Sequence, residues 1–125
     1  MSQVGSFMTP HPYTIGAEQP IAAAAERMRE HGIRHLPVLH GGRLVGMLSD
    51  RDVRLVEVVA EAEHVRVEDA MSPEPRCVRA DAPLRTVLID MHEHKLGSVV
   101  VTDDNDRIQG IFTATDAIRL LAERV

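Results

Sequence analysis

The chain has 125 residues, enough for one sizeable core but too few for two independent domains of comfortable size. With 44% hydrophobic and 26% charged residues, no apolar run near about 20 residues and no basic or apolar leader in residues 1–7, it reads as a soluble cytoplasmic protein without a membrane span or secretory signal. A net charge of -5 and 2% aromatic residues argue against nucleic acid as a partner, since such binding needs clustered Lys and Arg or stacking aromatics.

The chain repeats itself. A shift of 63 residues, the separation of Met8 and Met71, superposes Val4 on Val67, Thr9 on Ser72, Pro10 on Pro73, Pro20 on Pro83, Met28 on Met91 and His31 on His94. After Leu39 the second copy carries one extra residue in a turn, so Gly46 meets Gly110 at a shift of 64. The first copy spans about 4–62, a connector about 62–66 and the second copy about 67–125, and together they form one module over residues 1–125.

Each copy opens on an extended stretch, Met8-Thr9-Pro10-His11-Pro12 or Met71-Ser72-Pro73-Glu74-Pro75, because proline pushes its predecessor out of the helical region. A short strand near Tyr13 to Ile15, or Arg76 to Val78, follows. Pro20 and Pro83 suit a first helical turn. Behind them Ile21, Ala24, Ala25 and Met28, and then Leu84, Val87, Leu88 and Met91, recur at the spacing of one apolar helix face, and Gly32 is placed to stop the first helix. Two strands come next in each copy: 33–39 and 44–49 about His40-Gly41-Gly42-Arg43, and 96–102 and 107–113 about the solvated turn Asp103-Asp104-Asn105-Asp106. A last helix runs from Arg51 to about Ala62, with Val53, Val56 and Ala60 inward, or from Thr115 to about Glu123, with Ile118 and Leu121 inward. Val58 and Val59 fall on the outer side of their helix.

The chemistry concentrates where the last strand meets the last helix, at Ser49-Asp50-Arg51-Asp52 and Thr113-Ala114-Thr115-Asp116. A Ser or Thr followed three residues later by Asp is a capping box, which closes a helix start without any ligand. The same arrangement can hold a ribose and a phosphate. The helix start offers unpaired N–H groups to an anion, and the Asp can accept hydrogen bonds from vicinal sugar hydroxyls. Both readings stay open at this level.

The order β-α-β-β-α, given twice, resembles the cystathionine β-synthase (CBS) domain, and two in tandem resemble the CBS pair or Bateman module. The resemblance rests on Met8-Thr9-Pro10, Gly32-Ile33-Arg34-His35-Leu36-Pro37-Val38, Gly46 to Asp52, and their partners Met71-Ser72-Pro73, Leu96 to Val101 and Gly110 to Asp116. It implies an α+β (α/β-type) fold with the repeats packed about a pseudo-twofold axis, no attached catalytic domain, and two clefts for adenosine compounds. By the resemblance, the first cleft takes Ser49, Arg51 and Asp52 with Arg76, Cys77, Val78, Ser98 and Val99; the second takes Thr113, Thr115 and Asp116 with Tyr13, Thr14, Ile15, His35, Leu36 and Pro37. Asp would hold the ribose, strand backbones the adenine edge, and Ser or Thr the phosphate. Arg51, reinforced by Arg76, ranks the Asp52 cleft first for a phosphorylated ligand, because a guanidinium donates two parallel bonds to phosphate.

The expected function is a stand-alone regulatory module that binds AMP, ADP or ATP, with S-adenosylmethionine as a further possible ligand, and signals occupancy to a regulated protein. It needs no resident cofactor and catalyses nothing, since no nucleophile-base-orienter set or P-loop is present. The resemblance also implies a homodimer packed through the outer helices, with Val58 and Val59 as its interface candidates. The alternative is a ligand-free interaction scaffold whose Ser/Thr-x-x-Asp motifs are only helix caps. A redox or metal sensor ranks lower: Cys77, the one cysteine, is expected to be a small buried residue, and no two histidines share one helix face.

Overall fold

The computed structural model describes residues 2–125. In chain order the elements are β1 (Thr9–Pro10), β2 (Ile15–Gly16), α1 (Ile21–His31), β3 (His35–His40), β4 (Arg43–Ser49), α2 (Asp50–Val59) and α3 (Val67–Ala70). They continue with β5 (Ser72–Pro73), β6 (Cys77–Arg79), α4 (Leu84–His94), β7 (Ser98–Thr102), β8 (Ile108–Thr113) and α5 (Ala114–Arg124). This is a mixed α/β chain with two four-stranded sheets, ordered β2-β3-β4-β5 and β1-β8-β7-β6.

Two compact units cut across the sequence repeat. One is Tyr13–Pro75; the other joins the described residues up to Pro12 to Arg76–Val125. In the first, β2 runs parallel to β3, and β3 pairs antiparallel with β4, which pairs with β5. Its core gathers Ile15, Ile21, Ala24, Met28, Leu36, Val38, Leu48, Val53 and Val56, and takes Val67 from the start of the second copy. Val67 donates its N–H to the Gln19 carbonyl at 2.8 Å.

The other unit repeats the plan with the start of the first copy. Val4, fully buried, packs with Val87, Met91, Val99, Val101 and Phe112, and its N–H bonds the Ala82 carbonyl at 2.9 Å. β1 closes the edge of that sheet against β8, with Thr9 opposite Ile111. Burying one valine contributes about 1.5–3 kcal/mol, so each exchanged segment is tied down by its apolar anchor as well as by its backbone bonds.

Local signals account for most element ends. Pro20 sits extended just before α1, and Gly32 ends it at φ 61°, donating its N–H to the Met28 carbonyl. Gly41 and Gly42, both at positive φ, make the two-residue turn between β3 and β4. The longer turn between β7 and β8 is organised by Asp103, whose Oδ1 accepts from the N–H groups of Asn105 (2.8 Å) and Arg107 (3.0 Å).

Five expectations of burial are corrected. Ile118 and Leu121 are 66% and 62% exposed, and Ala117 and Leu120 pack against the core in their place. Asp116 is itself buried, and Leu120, four residues on, shares its face of α5. Leu88 lies at the rim of its helix face, 37% exposed. Ala60 is exposed because α2 ends at Val59. Cys77 is exposed rather than buried, since on edge strand β6 the alternation turns Val78 inward.

Candidate functional site

Both strand-to-helix junctions form complete capping boxes. Ser49 is extended at the end of β4; its Oγ accepts the Asp52 N–H at 3.2 Å, and Asp52 Oδ2 accepts the Ser49 N–H at 2.9 Å. Thr113 and Asp116 do the same at 3.3 and 2.9 Å. Two of the donors left over at each helix start are thereby satisfied.

The carboxylates differ in what else they hold. Asp116 is 5% exposed, and its Oδ2 also accepts the Thr113 hydroxyl at 3.1 Å. Its Oδ1 accepts the Thr9 hydroxyl at 3.4 Å and faces Arg119 Nη1 at 3.3 Å. A carboxylate has about four lone-pair sites, and here three hydrogen-bond donors and the Arg119 ion pair face them. Asp52 is half-buried, and among the described residues only the Ser49 N–H donates to it. Its Oδ1 is uncommitted. Arg51, next to it, is exposed and makes no ion pair among the described residues, the Asp50 carboxylate being taken by Arg54 at 3.6 Å.

Sheet register fixes the neighbours of each junction. His35 stands opposite Ser49, Leu36 opposite Leu48 and Pro37 opposite Met47. Ser98 stands opposite Thr113 and Val99 opposite Phe112. Ser49, Arg51 and Asp52 therefore share a unit with Tyr13, Thr14, Ile15, His35, Leu36 and Pro37, and Thr113, Thr115 and Asp116 share the other with Arg76, Cys77, Val78, Ser98 and Val99. Ile15, Leu36, Pro37 and Val99 are buried side chains of the cores, so only their backbone is available for recognition.

Electrostatics sharpen the contrast. Burial pushes the His35 pKa down, Asp50 and Asp52 oppose that shift, and Arg34 adds to it, so a neutral imidazole is favoured beside the Ser49 junction. Arg76, expected to reinforce phosphate binding, instead donates from Nη1 to both carboxylate oxygens of Asp90, at 2.9 and 3.0 Å, and Asp90 also faces His94 at 3.0 Å. Tyr13, the aromatic near the expected base position, stacks on His31 with ring centroids 3.7 Å apart, and Arg27 donates to the Thr14 carbonyl. Although the surface of Cys77 is exposed, desolvation around the sulfur and then the Asp106 carboxylate raise its pKa, which disfavours the nucleophilic thiolate.

Thr9 and Arg119 are the residues that sequence reasoning missed. Arg119 carried a readable signal, lying three residues after Asp116 on one helix where the first copy has Leu55. Among the described residues no cluster of three or more His, Cys, Asp or Glu is arranged to hold a metal ion, and no helix is long and apolar enough to cross a membrane.

Comparison with known proteins agrees with this architecture. The chain is 32% identical over 111 residues to inosine-5'-monophosphate dehydrogenase of Korarchaeum cryptofilum, a match that covers 89% of this chain and spans 22% of the enzyme. The CBS domain pair of protein MJ0100, solved with 5'-methylthioadenosine and S-adenosyl-L-methionine, superposes with a TM-score of 0.90 at 27% identity, over 100% of this chain and 99% of that one. CBSX2 in complex with AMP superposes with a TM-score of 0.81 at 26% identity, over 99% and 98% of the two chains. The CBS domain pattern matches twice, at residues 4–58 and 67–123, each match ending beyond one Ser/Thr-x-x-Asp junction, and the chain belongs to the CBS domain family as a tandem pair.

Proposed function

We propose that the chain is a regulatory module that binds an adenine nucleotide, AMP, ADP or ATP, at the Ser49–Asp52 junction and signals its occupancy to a partner protein. The observation that carries this reading is the uncommitted Oδ1 of a half-buried Asp52 beside the unpaired cation of Arg51. Asp52 accepts the ribose hydroxyls, Arg51 and the α2 N-terminus take the phosphate, and the backbone of Tyr13–Ile15 and His35–Pro37 meets the base. Adenosine is the part shared by 5'-methylthioadenosine, S-adenosyl-L-methionine and AMP, the compounds bound by similar proteins. The module works in the cytoplasm as a homodimer packed through outer helices, where Val58 and Val59 are 83% and 72% exposed.

The test is thermal unfolding with each nucleotide and with S-adenosylmethionine, for wild type and Asp52→Asn. A ligand at 100 times its dissociation constant stabilises the native state by about 2.7 kcal/mol. The gain is expected in wild type and lost in Asp52→Asn, which keeps an oxygen for the cap but not a free carboxylate oxygen. Two complete capping boxes favour the second reading, a ligand-free interaction scaffold. That reading prevails if no nucleotide shifts the midpoint of the wild type.

A further inference from the structure

We propose that Arg119 is a specificity-determining residue that reserves the chain for one nucleoside instead of two. The proposal rests on the reading of Asp52 as a ribose acceptor and concerns why the matching Asp116 is not one. Both acids occupy the third position of a helix closed by the same capping box, so the cap does not separate them.

What separates them is the occupant of Oδ1. On Asp116 that oxygen faces Arg119 Nη1 at 3.3 Å and accepts the Thr9 hydroxyl at 3.4 Å. At the shift that aligns the two junctions, Arg119 falls on Leu55, a 63% exposed aliphatic residue with nothing to donate. Ser72, which falls on Thr9, makes no hydrogen bond to Asp52 among the described residues. Ribose recognition needs a carboxylate with acceptor sites to spare, because each sugar hydroxyl brings a donor. Arg119 supplies that donor from within the chain, and in doing so balances a charge that is otherwise buried. A sugar entering here has to displace both this half-exposed guanidinium and the Thr9 hydroxyl from Oδ1, and the guanidinium alone weakens binding by up to about fivefold. At Asp52 no donor among the described residues has to leave Oδ1.

The decisive variants are reciprocal: Arg119→Leu copies the first junction into the second, and Leu55→Arg copies the second into the first. Isothermal titration with AMP, and in parallel with S-adenosylmethionine, reads the number of sites per chain. One site is expected in wild type, lost in Asp52→Asn and retained in Asp116→Asn. Arg119→Leu is expected to gain a second site that Asp116→Asn removes from the double variant, and Leu55→Arg to weaken the first site by up to about fivefold. Thermal unfolding of both variants without ligand shows that each is folded, and a stability change alone does not alter a stoichiometry. Two sites in wild type, or one site in Arg119→Leu still lost with Asp52, overturns the proposal. If wild type binds neither ligand but Arg119→Leu binds one molecule, the lock stands and the Asp52 reading falls. If neither protein binds, both fall.

Discussion

Replacing each motif aspartate by alanine, without any ligand, separates a carboxylate that only caps from one that also organises its surroundings. Asp52→Ala removes the acceptor of the Ser49 N–H, the loss of a cap, which costs about 1 kcal/mol. Asp116→Ala removes the same cap and also leaves the Thr113 and Thr9 hydroxyls without their acceptor. Hydrogen bonds to a charged group contribute about 1.5–3 kcal/mol at good geometry, and the 3.4 Å contact from Thr9 merits the low end or less. The Arg119 pair adds at most about 1 kcal/mol, because that side chain is 54% exposed and solvent screens it. The total is about 3 kcal/mol for Asp116→Ala, about 2 kcal/mol more than for Asp52→Ala. At about 4 °C per kcal/mol for a chain of this size, the melting points fall by about 4 °C for Asp52→Ala and about 12 °C for Asp116→Ala. Since two compact units can open separately, hydrogen exchange at the first turns of α2 and α5 should accompany the melting curves. Equal losses, or a larger loss at Asp52, refute the reasoning.

Two further outcomes follow from the geometry. Stability should fall as pH drops below about 6.5: the unfolded chain protonates His35 there, the folded chain resists because burial holds the imidazole's pKa down, and the state that binds more protons is favoured. Asp103 contributes to a second decline in the carboxylate range, because the Arg107 and Asn105 N–H groups lower its pKa; melting points against pH should lose the first decline in His35→Asn and show a smaller second one in Asp103→Asn. Gly46→Ala should cost about 1–3 kcal/mol, as the new methyl meets the Met71 side chain and lies 2.9 Å from the Ser72 carbonyl oxygen. Adding Met71→Ala relieves the side-chain clash but not the backbone one, so a double-mutant cycle in urea should show only partial recovery; full recovery would mean that β5 yields.

Features fixed by neighbours in sequence were legible. Proline before α1, glycine after it, the Gly-Gly hairpin and both capping boxes each need only a few consecutive residues to specify a backbone state. The phase of α5 was not legible. Ala117, Ile118, Leu120 and Leu121 are apolar over much of the helix circumference, and the inward side is set by Asp116, a residue that a hydrophobic pattern turns outward. Nor did the repeat disclose that Val4 packs in the core with Phe112 and Val67 in the core with Leu36. Two copies in register carry the same anchor at the same place, so periodicity looks identical whether each copy keeps its own anchor or exchanges it.

The same limit governs the candidate site and explains why the two junctions, alike in sequence, differ in chemistry. Four residues specify a cap, because both hydrogen bonds of the box lie within one helical turn. Competence for a sugar depends instead on how many lone pairs remain after the cap has closed, and at Asp116 one of the deciding donors, Thr9, lies 107 residues away in the chain. The sequence ranking of Asp52 over Asp116 rested on the cation at Arg51, an attraction for phosphate. The structure supplies an independent difference at the other end of the ligand, in the acceptor offered to the ribose. On the proposed reading, the charge at position 51 and the open carboxylate at position 52 meet different groups of one nucleotide, so Arg51→Ala should weaken AMP far more than 5'-methylthioadenosine, which carries no phosphate, whereas Asp52→Asn should weaken both alike.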